Sequence, residues 1–286
     1  MLSLREAIQK AEKEGRAIGH FNITTIDMVH AIVRAAQKVG DPVIIGVSEG
    51  ERDFFGVRQI AAVVESVREE TKHPVYLNAD HTYSVERVKE VIDAGFDAVI
   101  YDGAKLSLDE NIANGKACVD YARASGRDVL IEGELGYIGS SSKMLDEIPE
   151  GVSLEHLTTP EQAARYAKET GADLLSAAVG NIHGMLKHAK NPNLNIERIK
   201  EVREAAGIPL VLHGGSGVSD EDFIAAIKAG ISTVHVSTEL RRAYRKEIQE
   251  TLVENPEEVA PYRYLRPAGE AVERIVEERM RLFGGK

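Results

Sequence analysis

The chain contains no Trp and one Cys, and aromatic residues make up only 5% of its 286 positions. A lone thiol, Cys118, excludes an internal disulfide framework and a cysteine-based zinc cluster, so any metal site has to be assembled from His, Asp and Glu. Long apolar runs are missing, as are a signal-like leader and a basic tract, and the expectation is a cytoplasmic protein without membrane contact. Basic residues are in the minority, 35 Lys and Arg against 46 Asp and Glu, for a net charge of −11. With no Lys/Arg stripe interleaved with aromatics, this balance argues against nucleic acid as a partner. It does not argue against phosphate ligands, because backbone amides at a helix start bind anions whatever the overall charge.

What the chain has in abundance is a repeat of short Val/Ile/Leu/Ala runs. They begin with AIGHFN (17–22) and PVIIGVS (42–48) and recur at 75–80, 97–102, 128–134, 173–180, 209–214 and 232–237. Each leads into a stretch of helical period: 27–39, 57–70, 84–94, 108–124, 160–170, 196–206, 220–229 and 239–254. Continuous apolar strands, rather than alternating ones, are what a parallel sheet covered on both faces requires. Eight such units close a (β/α)8 TIM barrel, with extra helices at 3–14 and 268–283 completing one domain over 1–286. A doubly wound open sheet is the structural rival, but no GxGxxG follows the first strand and no linker divides the chain. Two segments break the rhythm. Residues 136–159 form a polar Ser/Glu-rich stretch too long for an ordinary barrel loop, which reads as a mobile active-site loop, and 255–267 is a Pro/Tyr/Arg connection.

In such a barrel the active site lies at the C-terminal strand ends, and there every strand supplies a polar residue. Asn22, Ser48, Asp80, His81, Asp102, Glu132, Glu134, Asn181, His183, His213, His235 and Ser237 all fall at these tips. His81, His183 and His213, on the third, sixth and seventh strands, make a three-histidine site with an open position, the arrangement of catalytic zinc. Glu134 is an alternative ligand. Asp102 and Glu132 can accept from His N–H groups or hold a second cation, divalent or monovalent. His20 and His235 lie near the rim and could line a pocket, whereas His30, His73, His156 and His188 read as surface or packing residues. A second constellation is rich in glycine: GNIHG (180–184), HGGSG (213–217), then Ser237 and Thr238 opening a helix. The loops after the last two strands are where barrels place a phosphate, so Gly214, Ser216, Ser237 and Thr238 are its candidate ligands, with Lys187 as the neutralising charge. A divalent metal beside a phosphate pocket suits a phosphorylated ketone, with Asp80 placed to move a hydroxyl proton. No Lys stands at a strand tip, which argues against a Schiff base.

HFN (20–22), PVIIGVSEG (42–50), ADH (79–81), EGELG (132–136), GNIHG, HGGSG and STEL (237–240), in this order over the whole length, make the chain resemble the class II ketose-bisphosphate aldolases. The resemblance implies a zinc enzyme that cleaves fructose or tagatose 1,6-bisphosphate to dihydroxyacetone phosphate and glyceraldehyde 3-phosphate, and that is a homodimer or homotetramer. It implies that His81, His183 and His213 hold zinc, that Glu134 takes it in an alternative position, and that Asp80 serves the C4 hydroxyl. Gly184, Lys187, Gly214, Ser216 and Thr238 would bind the phosphate of the dihydroxyacetone half, and Asn22 and Ser48 would line the site. The loop from Gly136 would be a flap, in some members carrying the carboxylate that moves the C3 proton. The chain departs from the family at three places: His235 stands for the usual Asn and Ser237 follows it, Ala260-Pro261-Tyr262 replaces Asp-Pro-Arg, and the flap reads Ser140 to Ser142 where Glu is expected. Arg241, Arg263 and Arg266 are the substitutes available for a second phosphate, and Asp146 and Glu147 the nearest flap carboxylates. A phosphosugar epimerase working through the same metal chemistry, and a phosphometabolite-binding protein without turnover, are the rival readings.

Overall fold

The computed structural model describes residues 2–139, 142–152 and 157–286. Helix α1 (Leu4–Lys13) starts on a capping box: Ser3 accepts from the Glu6 N–H, and the Glu6 carboxylate accepts from the Ser3 N–H. There follow β1 (Ile18–Asn22), α2 (Ile26–Val39) and β2 (Val43–Val47), then two helices in succession, α3 (Glu49–Phe55) and α4 (Val57–Thr71), before β3 (Val75–Thr82). The alternation continues through α5 (Val85–Ala94), β4 (Ala98–Tyr101), α6 (Leu108–Ala124) and β5 (Leu130–Leu135). A short strand β6 (Met144–Leu145) precedes α7 (Pro160–Thr170) and β7 (Leu174–Ala177), and another, β8 (Met185–Leu186), precedes α8 (Ile196–Ala206). Then come β9 (Leu210–Leu212), α9 (Asp220–Ala229), β10 (Ile231–Val236), α10 (Thr238–Glu254), the single turn α11 (Pro261–Tyr264) and α12 (Arg266–Phe283).

Eight strands close a parallel barrel in the order β1-β10-β9-β7-β5-β4-β3-β2, while β6 and β8 pair with each other outside it. The expected strands and major helices are therefore present. The sequence reading lacked α3, α11 and the β6–β8 pair. Part of the expected flap is thus regular structure, since Met144 and Leu145 pair with Met185 and Leu186. Ser140, Ser141 and His156 lie outside the described residues. Among the described residues, no helix is long and apolar enough to cross a membrane.

Strand alternation sorts the barrel interior into levels. At the N-terminal end Ile18, Ile44, Tyr76, Ala98, Leu130, Leu174 and Val211 form one buried cluster with Leu4, Ala7, Ile8 and Ala11, so α1 is the plug of that end. Two residues further along the strands the period returns to the interior at His20, Gly46, Asn78, Glu132, Ser176 and His213. Two more bring in Asn22, Ser48, Asp80 and Glu134. The barrel is apolar at its plugged end and polar at the open one. Hydrophobic burial stabilises the lower levels and the helix-facing sides of the strands, which leaves the upper level available for chemistry.

Candidate active site and metal centre

The three histidines expected at the rim do converge, each offering a nitrogen within 4.8 Å of the others. What fixes them is the second nitrogen of each ring. His81 Nδ1 donates to Asp102 Oδ2 at 2.9 Å, His183 Nδ1 to the Gly139 carbonyl at 2.6 Å, and His213 Nε2 to Glu132 Oε1 at 2.9 Å. Each acceptor holds the proton on the outer nitrogen, so the lone pairs of His81 Nε2, His183 Nε2 and His213 Nδ1 face the centre. His213 Nδ1 and Glu134 Oε2 are buried without a hydrogen-bond partner. Glu134 Oε2 stands 3.2 Å from His81 Nδ1 and 3.5 Å from His213 Nδ1. Buried groups left unsatisfied in this way mark a position prepared for something else to bind.

The electrostatics agree. Burial works against charge on His81, yet Asp80, Glu134 and Asp102 around it raise its pKa well above the usual value. Burial also opposes charge on His213, but Glu132 and Glu134 raise it. Burial, reinforced by His81 and His213, pushes His183 down to about 3. The buried carboxylates thus demand positive charge at this spot, and protons on two imidazoles or a divalent cation between three of them are the two ways to supply it. Both the donor set and the charge fit zinc. His81 has φ +42°, one of two positive values among the described residues other than glycine. Strain of this kind collects where a side chain must be aimed, and here it aims a candidate ligand.

Asp80 sits beside this centre. Its Oδ2 accepts from Asn22 Nδ2 at 2.8 Å, and its Oδ1 lies 3.3 Å from His235 Nδ1 and 3.8 Å from His81 Nε2. Burial disfavours its charge, but His81, His235 and His20 hold the carboxyl well below the usual carboxylate range. Asn22 also donates to Glu51 Oε2 at 3.0 Å, so it ties Asp80 to α3. Beneath them Arg52, with 0% exposure, donates to the Val47 and Asp80 carbonyls and to Thr82 Oγ1. Glu51 and Arg52 were not expected from the sequence.

Two adjoining cavities open on this centre and share Asn22, Asp80, His81, Ser142 and His183. One, about 30 Å³, runs to Gly184, Gly214, Ser216, Ser237 and Thr238. Ser216 Oγ there accepts from the Ser237 and Glu239 N–H groups at the start of α10, both at 3.2 Å, and Ser237 Oγ is buried without a partner. Gly214 has φ +64°, and a Cβ on it would lie 2.2 Å from the Ile182 carbonyl oxygen, so the backbone passes here only as glycine. The other cavity, about 230 Å³, runs to Ser48, Glu49, Gly50, Tyr83 and Arg241.

Not every expected residue joins the site. Lys187 is held by Asp146 at 2.9 Å and lines neither cavity, and Asp146 is thereby engaged on the surface. Asp102 touches the centre through His81. His20 is fully buried below the rim rather than lining a pocket, and burial pushes it down to about 4. Its ring stacks on His235 at 3.4 Å and 3°, which in turn lies 4.3 Å from His213, and its Nε2 accepts from Asn78 Nδ2 at 3.1 Å. Gly46 makes room for this column, since a Cβ there would lie 2.0 Å from His20 Cε1. With the ring hemmed in on both faces, Gly46→Ala is expected to cost about 1–3 kcal/mol of overpacking. Urea denaturation checks this, and a cost near zero would show that the column yields.

The family model described as fructose-bisphosphate aldolase class-II matches residues 2–286. The 6-phospho-5-dehydro-2-deoxy-D-gluconate aldolase of Bacillus subtilis (strain 168) is 38% identical, over 99% of this chain and 95% of its own. A fructose-bisphosphate aldolase of Staphylococcus aureus is 34% identical, over 99% and 97%. The crystal structure of the YdjI aldolase from Escherichia coli K12 superposes with a TM-score of 0.82 at 30% identity, covering 99% of this chain and 98% of that one. The match runs over essentially the whole chain, and the chain belongs to the class II fructose-bisphosphate aldolase family, whose members are lyases.

Proposed function

We propose that the protein is a zinc-dependent aldolase that cleaves a ketose 1-phosphate reversibly between C3 and C4, giving dihydroxyacetone phosphate and an aldehyde. The observation that carries this is the set of three inward lone pairs on His81, His183 and His213 with the Asp80 carboxylate beside them. When bound there, zinc would supply Lewis-acid polarisation of the substrate carbonyl, worth several kcal/mol. The remaining work falls to the chain. Gly214, Ser216, Thr238 and the unpartnered Ser237 hydroxyl, at the start of α10, take the C1 phosphate, with Gly184 at the cavity wall. That anchoring sets the sugar's C4 hydroxyl against Asp80, whose ionised carboxylate takes the hydroxyl proton as the C3–C4 bond breaks and returns it in condensation. Asn22 fixes the Asp80 rotamer, so the base need not reorganise during the step. Glu134 is an alternative zinc ligand, and Asp102 and Glu132 orient the rings.

Fructose 1,6-bisphosphate is the substrate that the family resemblance suggests first, with tagatose 1,6-bisphosphate beside it. The relatives leave the aldehyde half open: at 34% and 38% identity, one is named for a bisphosphate and the other for a sugar acid with one phospho group. A cytoplasmic homodimer or homotetramer is the assembly we infer from the same resemblance. The test is C3-proton exchange of dihydroxyacetone phosphate in D2O, together with its release from fructose 1,6-bisphosphate, tagatose 1,6-bisphosphate and fructose 1-phosphate. A chelator should abolish both signals and zinc should restore them. Exchange that survives full zinc removal would sink the metal-dependent reading. An epimerase would return an altered ketose without releasing an aldehyde.

A further inference from the structure

The two cavities share the reacting centre and extend from it to different residues, and they are built differently. The wing with Gly214, Ser216 and Thr238 lies at the start of α10, and among the described residues its one carboxylate is the Asp80 that both cavities share. The other wing, which receives whatever lies beyond C4, has Arg241 as the one Arg or Lys among the described residues of its lining, and it also has Glu49. Arg241 is already ion-paired with the buried Glu51, which accepts from Asn22 and from the Ser48 N–H as well. Glu49 is placed 3.9 Å from Arg52 and 3.8 Å from Arg87. Arg52 is spent on the Val47 and Asp80 carbonyls, and Arg87 on Asp53 and Glu90. Arg263 and Arg266, the other cations considered for a second phosphate, are held by Glu258 and Glu270 and line neither cavity.

A second phosphate would bring about two negative charges into a wing whose cations are already matched. It would also stand against the Glu49 carboxylate, an unfavourable like-charge juxtaposition. Hydroxyl groups meet no such penalty. Glu49 accepts from them, Arg241 donates its remaining N–H groups, and Ser48 does either. At about 230 Å³ against about 30 Å³, this wing is also the roomier of the two.

We propose that the substrate is a ketose 1-phosphate whose aldehyde half is a short, unphosphorylated polyol, selected by Glu49 and the Arg241–Glu51 pair. This rests on the aldolase reading above. The experiment uses the zinc-loaded protein in the condensation direction, with dihydroxyacetone phosphate and either D-glyceraldehyde, D-erythrose or D-glyceraldehyde 3-phosphate. C3-proton exchange of dihydroxyacetone phosphate without any aldehyde is recorded in parallel. The expected result is exchange in every preparation and a kcat/KM for the better unphosphorylated aldehyde at least about 10-fold above that for glyceraldehyde 3-phosphate. In Glu49→Gln the ratio should fall by about 3-fold or more as the repulsion is removed. Exchange with glyceraldehyde 3-phosphate preferred would overturn the far-end assignment and leave the aldolase standing. Absence of exchange would overturn both. The comparison on the unaltered protein decides the matter even where Glu49→Gln, at the first position of α3, folds poorly.

Discussion

His213→Ala is expected to lose bound zinc and cleavage together. The residue is fully buried, its Nε2 is given to Glu132, and its Nδ1 is left unpartnered toward His81 and His183. Removing the ring takes away one of three inward lone pairs, and two imidazoles hold a cation far more weakly than three. The substitution also strands the Glu132 carboxyl, which burial already raises, without the partner that offsets its burial. A loss of fold is therefore a competing explanation, and a gentler variant separates it. Glu132→Gln keeps an acceptor for the His213 N–H but removes its charge. It should leave the barrel intact by circular dichroism and weaken zinc about 10- to 100-fold, the usual worth of a group orienting a metal-bound histidine. Atomic absorption after dialysis against graded chelator reads the affinity directly. A His213→Ala protein that stays zinc-loaded and active would remove this residue from the site, and Glu132→Gln with unaltered affinity would remove the orienting role.

The barrel was legible because each of its units repeats the same physical problem. A strand buried on both faces must be apolar throughout, and a covering helix must be amphipathic, so runs such as VIIGV and the 3.6-period stretch after Thr25 declare themselves. The rim was legible for a related reason: polar residues at strand ends are costly to bury unless they have work to do. What stayed hidden depends on tertiary partners. Arg52 lies in SEGERDFF, which reads as a solvated charge run. Only the arrival of the Val47 and Asp80 carbonyls and Thr82 around it makes a buried guanidinium tolerable. His20 reads as one more rim histidine, because nothing local says that Gly46 on the neighbouring strand clears the space into which its ring turns. Lys187 fails the opposite way. Its spacing from Gly180 suits an anion, but the β6–β8 pairing brings up Asp146, and the surface ion pair takes the ammonium.

Asp80→Ala should keep its zinc while cleavage falls by about two to four orders of magnitude, the range for a positioned general acid or base. The argument turns on which proton the carboxylate serves. Asp80 faces away from its neighbour His81 far enough to stand 3.8 Å from that ring's Nε2; Asn22 holds its Oδ2, and its Oδ1 lies free of a hydrogen bond 3.3 Å from His235 Nδ1. It is therefore placed to act on the substrate rather than to orient a ligand, a task that Asp102 performs for His81. If its proton is that of the C4 hydroxyl, the first half of the condensation does not need it. C3-proton exchange of dihydroxyacetone phosphate should then stay within about 10-fold of the parent protein while bond cleavage collapses. Asp80→Asn offers a sharper version, since it preserves the volume and the contact with Asn22. Its amide N–H would turn toward His235 Nδ1, which can accept once that ring carries its proton on Nε2. Equal loss of exchange and cleavage would mean that Asp80 supports the whole centre, and loss of zinc would mean that it acts through His81. Only the split between the two rates assigns the carboxylate to the C4 oxygen.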